Sequence, residues 1–242
     1  NALESDGVYP FNQGACTRKS WFDCSCCPTN LIRFIPAIPG LIYAKHDHDL
    51  YVNLYVGNEA KVDMNGRLIR ISQRTNYPWN GQVELTVSSN TAVPMNLKLR
   101  LPGWASGEVL PSDLYTYISL APEPPAVHID GEKVPWELEG GYIILPRTWE
   151  GSHTVTLDFP MQVQVVRARE QIAEDRGKLA LEYGPIVYAL EEADNPAIDA
   201  VTIAPDENYQ VAFQPGFLNG VEEIFGAGPI GSFKAIPYYA WS

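Results

Sequence analysis

Three of the four cysteines of this 242-residue chain crowd into Cys24-Ser25-Cys26-Cys27, and Pro28 follows directly. Thiols this close in sequence rarely bridge one another, because a disulfide needs well-separated Cα atoms and facing Cβ vectors. The chemistry that suits them is ligation of a soft metal, zinc above all, or attack by a thiolate nucleophile. Proline is favoured at the first helical position, and Leu31, Phe34, Ile35 and Ile38 follow Pro28 at helical spacing. Cys26 and Cys27 are therefore expected at a helix N-terminus, where unpaired N–H groups and the helix dipole stabilise a thiolate. On spacing alone two other readings stay open: small buried apolar residues, or a disulfide partner for Cys16.

A complete structural zinc site normally brings a second ligand pair from a distance, and no further Cys-x-x-Cys exists here. The histidines are scattered at His46, His48, His128 and His153, and His46-Asp47-His48 reads as a turn. A metal at the cluster is expected to draw its remaining ligands from outside this chain.

The elements that must position the cluster come next. The helix after Pro28 should be short, since Pro36 breaks its hydrogen-bond ladder and Pro39-Gly40 ends it. From Leu41 the apolar period changes to two. Leu50, Val52, Leu54 and Val56 alternate with Tyr51, Asn53 and Tyr55, the pattern of a strand buried on one face. Asn65-Gly66 and Asp130-Gly131 predict two-residue hairpins, because both positions of such turns need φ > 0. Further short strands are predicted at Val83–Val87, Leu97–Leu101, Tyr142–Leu145, Val155–Phe159 and Ile186–Leu190. Residues 163–182 carry a charged run and read as a solvated linker or strand edge. Many short strands without helical pattern between them indicate a mainly β chain, an antiparallel, jelly-roll-like sandwich.

Composition narrows the partners. A formal charge of −12 argues against nucleic acid and anionic membranes and leaves neutral ligands such as sugars open. No apolar run approaches the length of a membrane span. The chain opens on Asn1-Ala2-Leu3-Glu4 and ends on Tyr238-Tyr239-Ala240-Trp241, so a fragment of a longer protein is expected.

Five stretches together resemble the β-L-arabinofuranosidases of glycoside hydrolase families 127 and 146. They are Asn1-Ala2-Leu3-Glu4, Trp21-Phe22-Asp23-Cys24-Ser25-Cys26-Cys27-Pro28-Thr29-Asn30, Leu99-Arg100-Leu101-Pro102-Gly103-Trp104, Glu182-Tyr183-Gly184-Pro185-Ile186-Val187-Tyr188 and Ala235-Ile236-Pro237-Tyr238-Tyr239-Ala240-Trp241. The resemblance implies that residues 1–40 are the end of a catalytic (α/α)6 barrel carrying the cysteine cluster. It implies a β-sandwich over 41–165 and a second, smaller β region over 166–242. It places a cysteine nucleophile at Cys26 and a zinc-ligating cysteine at Cys27, with Cys24 beside them. The implied reaction is retaining hydrolysis of an arabinose-containing glycan, with zinc bound in the intact protein. The family's Glu-x-Cys ligands and acid/base glutamate lie upstream of the cluster; this chain has no Glu-x-Cys, and Glu4 is the only glutamate before Cys24. The fragment alone is accordingly expected to be inactive and to need the missing barrel domain. The alternative is a non-catalytic carbohydrate-binding or structural β module, in which Trp79, Trp104 and Trp149 could stack on sugar rings.

Overall fold

A computed structural model describes residues 26–228 and 231–241. They fall into two units, one ending at Gly40 and the other running from Leu41 to Trp241.

In the first unit, α1 (Cys26–Phe34) is followed by a single 3-10 turn at Ile35–Ala37. The described part of the helix already includes Cys26 and Cys27, ahead of the expected start at Pro28. Proline is tolerated in a first turn because the N–H groups there lack intrahelical partners. Leu31, Ile32, Phe34 and Ile35 keep the helical spacing but are all more than half exposed. A second helical turn, α2 (Pro39–Ile42), forms where Pro39-Gly40 was expected only to end the helix. Proline at its first position removes no needed N–H, so the turn can start on it.

The second unit is mainly β, with short 3-10 turns outside its strands. Its strands are β1 (Tyr43–His46), β2 (Asp49–Val52), β3 (Asn58–Met64), β4 (Arg67–Thr75), β5 (Gln82–Arg100), β6 (Tyr115–Tyr117), β7 (Ala126–Ile129) and β8 (Glu132–Lys133). Beyond these come β9 (Glu137–Glu139), β10 (Tyr142–Asp158), β11 (Val163–Ala168), β12 (Leu179–Tyr183), β13 (Ile186–Ala189), β14 (Gln210–Gln214), β15 (Val221–Gly228) and β16 (Gly231–Pro237). Both predicted hairpins form: φ is 56° and 82° at Asn65-Gly66, and 53° and 85° at Asp130-Gly131. His46-Asp47-His48 is the turn joining β1 to β2, with Asp47 at φ 50°.

One sheet is organised on β5 and β10, which pair antiparallel almost end to end. Each was expected as two short strands. Ser88-Ser89-Asn90-Thr91 and Glu150-Gly151-Ser152 look like turns, but the pairing passes through them with a bulge between Trp149 and Gly151. From Ser89 to Val93 β5 takes four steps while β10 takes two from Gly151 to Trp149. The excess is even, so the inward face is kept on both sides: Val83, Leu85 and Val87 before it, Val93, Met95, Leu97 and Leu99 after it. Pro94, inside β5, falls between the stretches that pair with β4 and with β2, where a missing N–H costs no ladder bond on that side. Residues from both ends of β5 and β10 belong to one apolar cluster with Leu50, Val52, Ile69, Ile71 and Val127, so the sheet curls over its own core. All its pairings are antiparallel except β2 with β5.

The other sheet runs β14-β15-β16-β13-β12-β11-β6 around Val165, Leu181, Tyr188, Ile224, Phe233 and Ala235. Here the reading of 163–182 as linker or edge is corrected. β11 lies inside the sheet between β12 and β6, with Gln164, Val165 and Val166 buried. The charges of that run collect at Arg167 and in the connection after Ala168, so they mark the end of a strand and a turn. The Tyr183-Gly184-Pro185-Ile186 stretch is the two-residue turn from β12 to β13, with φ 56° at Gly184.

Candidate active site

Cys26 and Cys27 are the first two residues of α1, both exposed to solvent. Thr29 Oγ1 donates to the Cys26 carbonyl at 3.0 Å, holding the opening turn closed. Arg33 Nη2 donates to Asn30 Oδ1 at 2.7 Å and puts positive charge in the last turn, which complements the dipole.

Their sulfurs are 3.7 Å apart. A disulfide would need about 2.05 Å, so the pair does not bridge itself. Two thiolates on one tetrahedral zinc, each at about 2.3 Å, would stand about 3.8 Å apart. The spacing of the pair is therefore compatible with a zinc bound beside it. Among the described residues no group of three metal-ligating side chains assembles. Cys24, the other candidate ligand, lies outside the described residues, as do Cys16 and Glu4.

The histidines serve the β unit. His153 spans Asp130 Oδ2 (2.7 Å, through Nδ1) and the Glu150 carbonyl (3.0 Å, through Nε2), pinning the Asp130-Gly131 hairpin to β10. Hydrogen bonds from His153 and the Thr154 N–H hold the Asp130 carboxyl below its usual range. His128 faces Asp158 at 4.0 Å. Two of the three candidate tryptophans are structural: Trp149 is fully buried and donates to the Met95 carbonyl, and buried Trp104 donates to the Tyr77 hydroxyl. Half-buried Trp79 packs on Tyr239.

An open cleft of about 890 Å³ in the β unit was not anticipated. On one wall the Tyr117 hydroxyl donates to Glu182 Oε2 at 2.6 Å. Burial holds the Glu182 carboxyl above its usual range, and the hydrogen bond from Tyr117 offsets only part of that. The Tyr117 hydroxyl is pushed well up by burial and by the adjacent carboxylate. Tyr117 lies in a Pro-rich segment, residues 105–125, that has no apolar period, so the signal in sequence was Glu182, inside the Glu182-Tyr183-Gly184-Pro185 segment.

The described chain is thus mainly antiparallel β, preceded by a short helix that carries a cysteine pair, and comparison with known proteins identifies its family. Residues 49–161 match the middle domain described as "Beta-L-arabinofuranosidase, GH127 middle domain", and residues 163–242 match the glycoside hydrolase family 127 C-terminal domain. The chain belongs to glycoside hydrolase family 127. It is 29% identical to the non-reducing end β-L-arabinofuranosidase of Bifidobacterium longum subsp. longum, over 93% of this chain and 36% of that protein. A solved GH127 β-arabinofuranosidase superposes over 93% of this chain and 38% of its own, with TM-score 0.84 and 35% identity. The GH127 β-L-arabinofuranosidase of Geobacillus stearothermophilus T6 does so over 93% and 36%, with TM-score 0.79 and 38% identity. The chain thus spans little more than a third of the length of these relatives.

Proposed function

We propose that this chain is part of a retaining glycoside hydrolase that removes β-L-arabinofuranose from the ends of glycans, with Cys26 as nucleophile. What carries the reading is the placement of two adjacent thiols, 3.7 Å apart, in the first turn of a helix in a chain of this family. Cys27 and Cys24 would be ligands of a zinc ion, completed by residues from a barrel domain beyond this chain. Bound there, zinc would supply charge that keeps neighbouring thiols ionised near neutral pH.

In the proposed reaction the Cys26 thiolate attacks the anomeric carbon as the bond to the aglycone oxygen breaks. A glutamate from the barrel protonates the leaving oxygen. The same glutamate then takes a proton from water, whose oxygen displaces the Cys26 thiolate and releases the sugar with its configuration retained. Here a thiolate takes the place of the carboxylate nucleophile that most retaining glycosidases use. The exposed apolar residues of α1 support its docking against further helices in the intact enzyme.

The test is release of arabinose from an aryl β-L-arabinofuranoside by the intact protein, with trapping of a sugar adduct on Cys26 by mass spectrometry. Turnover with the adduct on Cys26 is expected. Turnover with no adduct on any cysteine would overturn the nucleophile assignment.

A further inference from the structure

We propose that the cleft beside Glu182 is a second saccharide site, distinct from the cysteine pair, that holds a neutral oligosaccharide without cleaving it. The proposal rests on the reading above only for the class of sugar.

The volume, about 890 Å³, lies within the roughly 300–1,000 Å³ of small-molecule sites, enough for a short oligosaccharide. The walls combine what a polyol needs. Tyr77, Tyr117 and Tyr142 line it with half-buried rings whose solvent-facing parts can meet the C–H side of a sugar. Their orientation is set by hydrogen bonds at the far ends: Tyr142 donates to Asn53 Oδ1 at 2.8 Å, Tyr117 to Glu182 at 2.6 Å, and Trp104 donates to Tyr77 at 3.0 Å. A surface held this way loses little freedom on binding.

The polar groups are left for a ligand. Among the described residues neither the Arg100 guanidinium nor the Glu108 carboxylate has a hydrogen-bond or ion-pair partner, and both line the cleft. Arg100 offers a fork of donors that suits adjacent hydroxyl oxygens, while Glu108 and Glu182 accept from hydroxyls. Two carboxylates against one guanidinium, in a chain of net charge −12, exclude an anionic ligand. An apolar protein face is excluded too, since covering Arg100 and Glu108 with it would desolvate unpaired charges. Yet Leu110, Leu138 and Val187, at the same cleft, are each more than two-fifths exposed, so the site is not merely hydrated polar surface.

The experiment is calorimetric titration of the intact protein with a linear α-linked arabino-oligosaccharide of three sugars, which a β-specific glycosidase does not hydrolyse. Saturable binding is expected in the parent and, unchanged, in Cys26→Ser. Arg100→Ala should weaken it about tenfold or more, the loss of charged hydrogen bonds. Val187→Trp, which fills the cleft from an exposed position, should abolish it. Absence of saturable binding, or binding indifferent to both substitutions, overturns the proposal. Binding lost in Cys26→Ser but kept in Arg100→Ala would overturn it and leave the catalytic reading intact. Binding that behaves as expected in a protein inactive on β-L-arabinofuranosides would sustain the cleft and overturn the catalytic reading alone.

Discussion

Lys98 Nζ of β5 stands 2.7 Å from Asp49 Oδ2 of β2, and this largely buried ion pair ties together the one parallel strand pairing of its sheet. Asn96 Nδ2 and the Tyr51 hydroxyl also donate to the same carboxylate, at 2.8 and 3.1 Å. Burial pushes the Asp49 carboxyl up, but the bonds from Lys98, Asn96 and Tyr51 outweigh it and hold the group below its ordinary 3.8. A carboxyl depressed by folding stabilises the fold above its unfolded value, and that contribution is lost as pH falls through the lower folded value. Asp49→Asn should therefore cost about 3 kcal/mol at neutral pH, as for a buried pair robbed of one partner. Urea unfolding at pH 7 and near pH 3 checks this: the difference between parent and variant should shrink at the acid end. A variant within about 0.5 kcal/mol of the parent at pH 7 would show the pair to be dispensable.

Glu182 behaves in the opposite sense. Its folded carboxyl is held above the ordinary 4.5 by burial, so the fold favours the protonated form. Stability should fall as pH rises from the unfolded value through the higher folded one, and level off above it. Glu182→Gln keeps an acceptor for Tyr117 and removes the titration. Its stability relative to the parent should thus rise between pH 4 and pH 7, as read from denaturant midpoints. A pH-independent difference would contradict the assignment.

Gly184 turns β12 into β13 at φ 56°, and a Cβ there would come within 2.5 Å of the Met161 Cε. Gly184→Ala should destabilise by about 1–2 kcal/mol from the left-handed backbone alone. Thermal unfolding measures this. Restoring the space with Met161→Ala should not recover the loss, because the strain is in the backbone; full recovery would mean that crowding was the whole cost.

What could be read from sequence was local. Alternation placed the inward faces of β2 and β5, although β2 stops at Val52 where the pattern ran on to Val56, and beyond it Tyr55 is buried and Val56 exposed; Asn65-Gly66 and Asp130-Gly131 marked their own turns because their φ requirements are intrinsic. Cys26 and Cys27 were legible for the same reason: adjacency and Pro28 act within one helical turn. What failed was set by partners distant in sequence. Ser88–Thr91 looks like a break until β10 is alongside to carry the ladder through, and Val163–Ala168 becomes an inner strand only when β6 pairs with it on the side away from β12.

 The register there is set by Val166 against Tyr117 and Arg167 against Thr116, and by the Val165 N–H donating to Ser119 Oγ, contacts that span 46 residues or more. The cleft is built the same way: Tyr117, Arg100 and Glu182 come from three strands whose sequences say nothing of one another.

The central claim, that Cys26 attacks while Cys27 holds metal, is tested most directly by measuring zinc content and turnover together in the intact enzyme carrying Cys26→Ser or Cys27→Ser. Serine keeps the shape but supplies no thiolate at neutral pH. Cys26→Ser should therefore abolish arabinofuranoside turnover while leaving zinc largely bound. Cys27→Ser should lower zinc occupancy, with activity falling in step, because one of four ligands is gone. A Cys26→Ser enzyme with near-normal turnover would contradict the account and leave the pair at the head of α1 a structural metal clip.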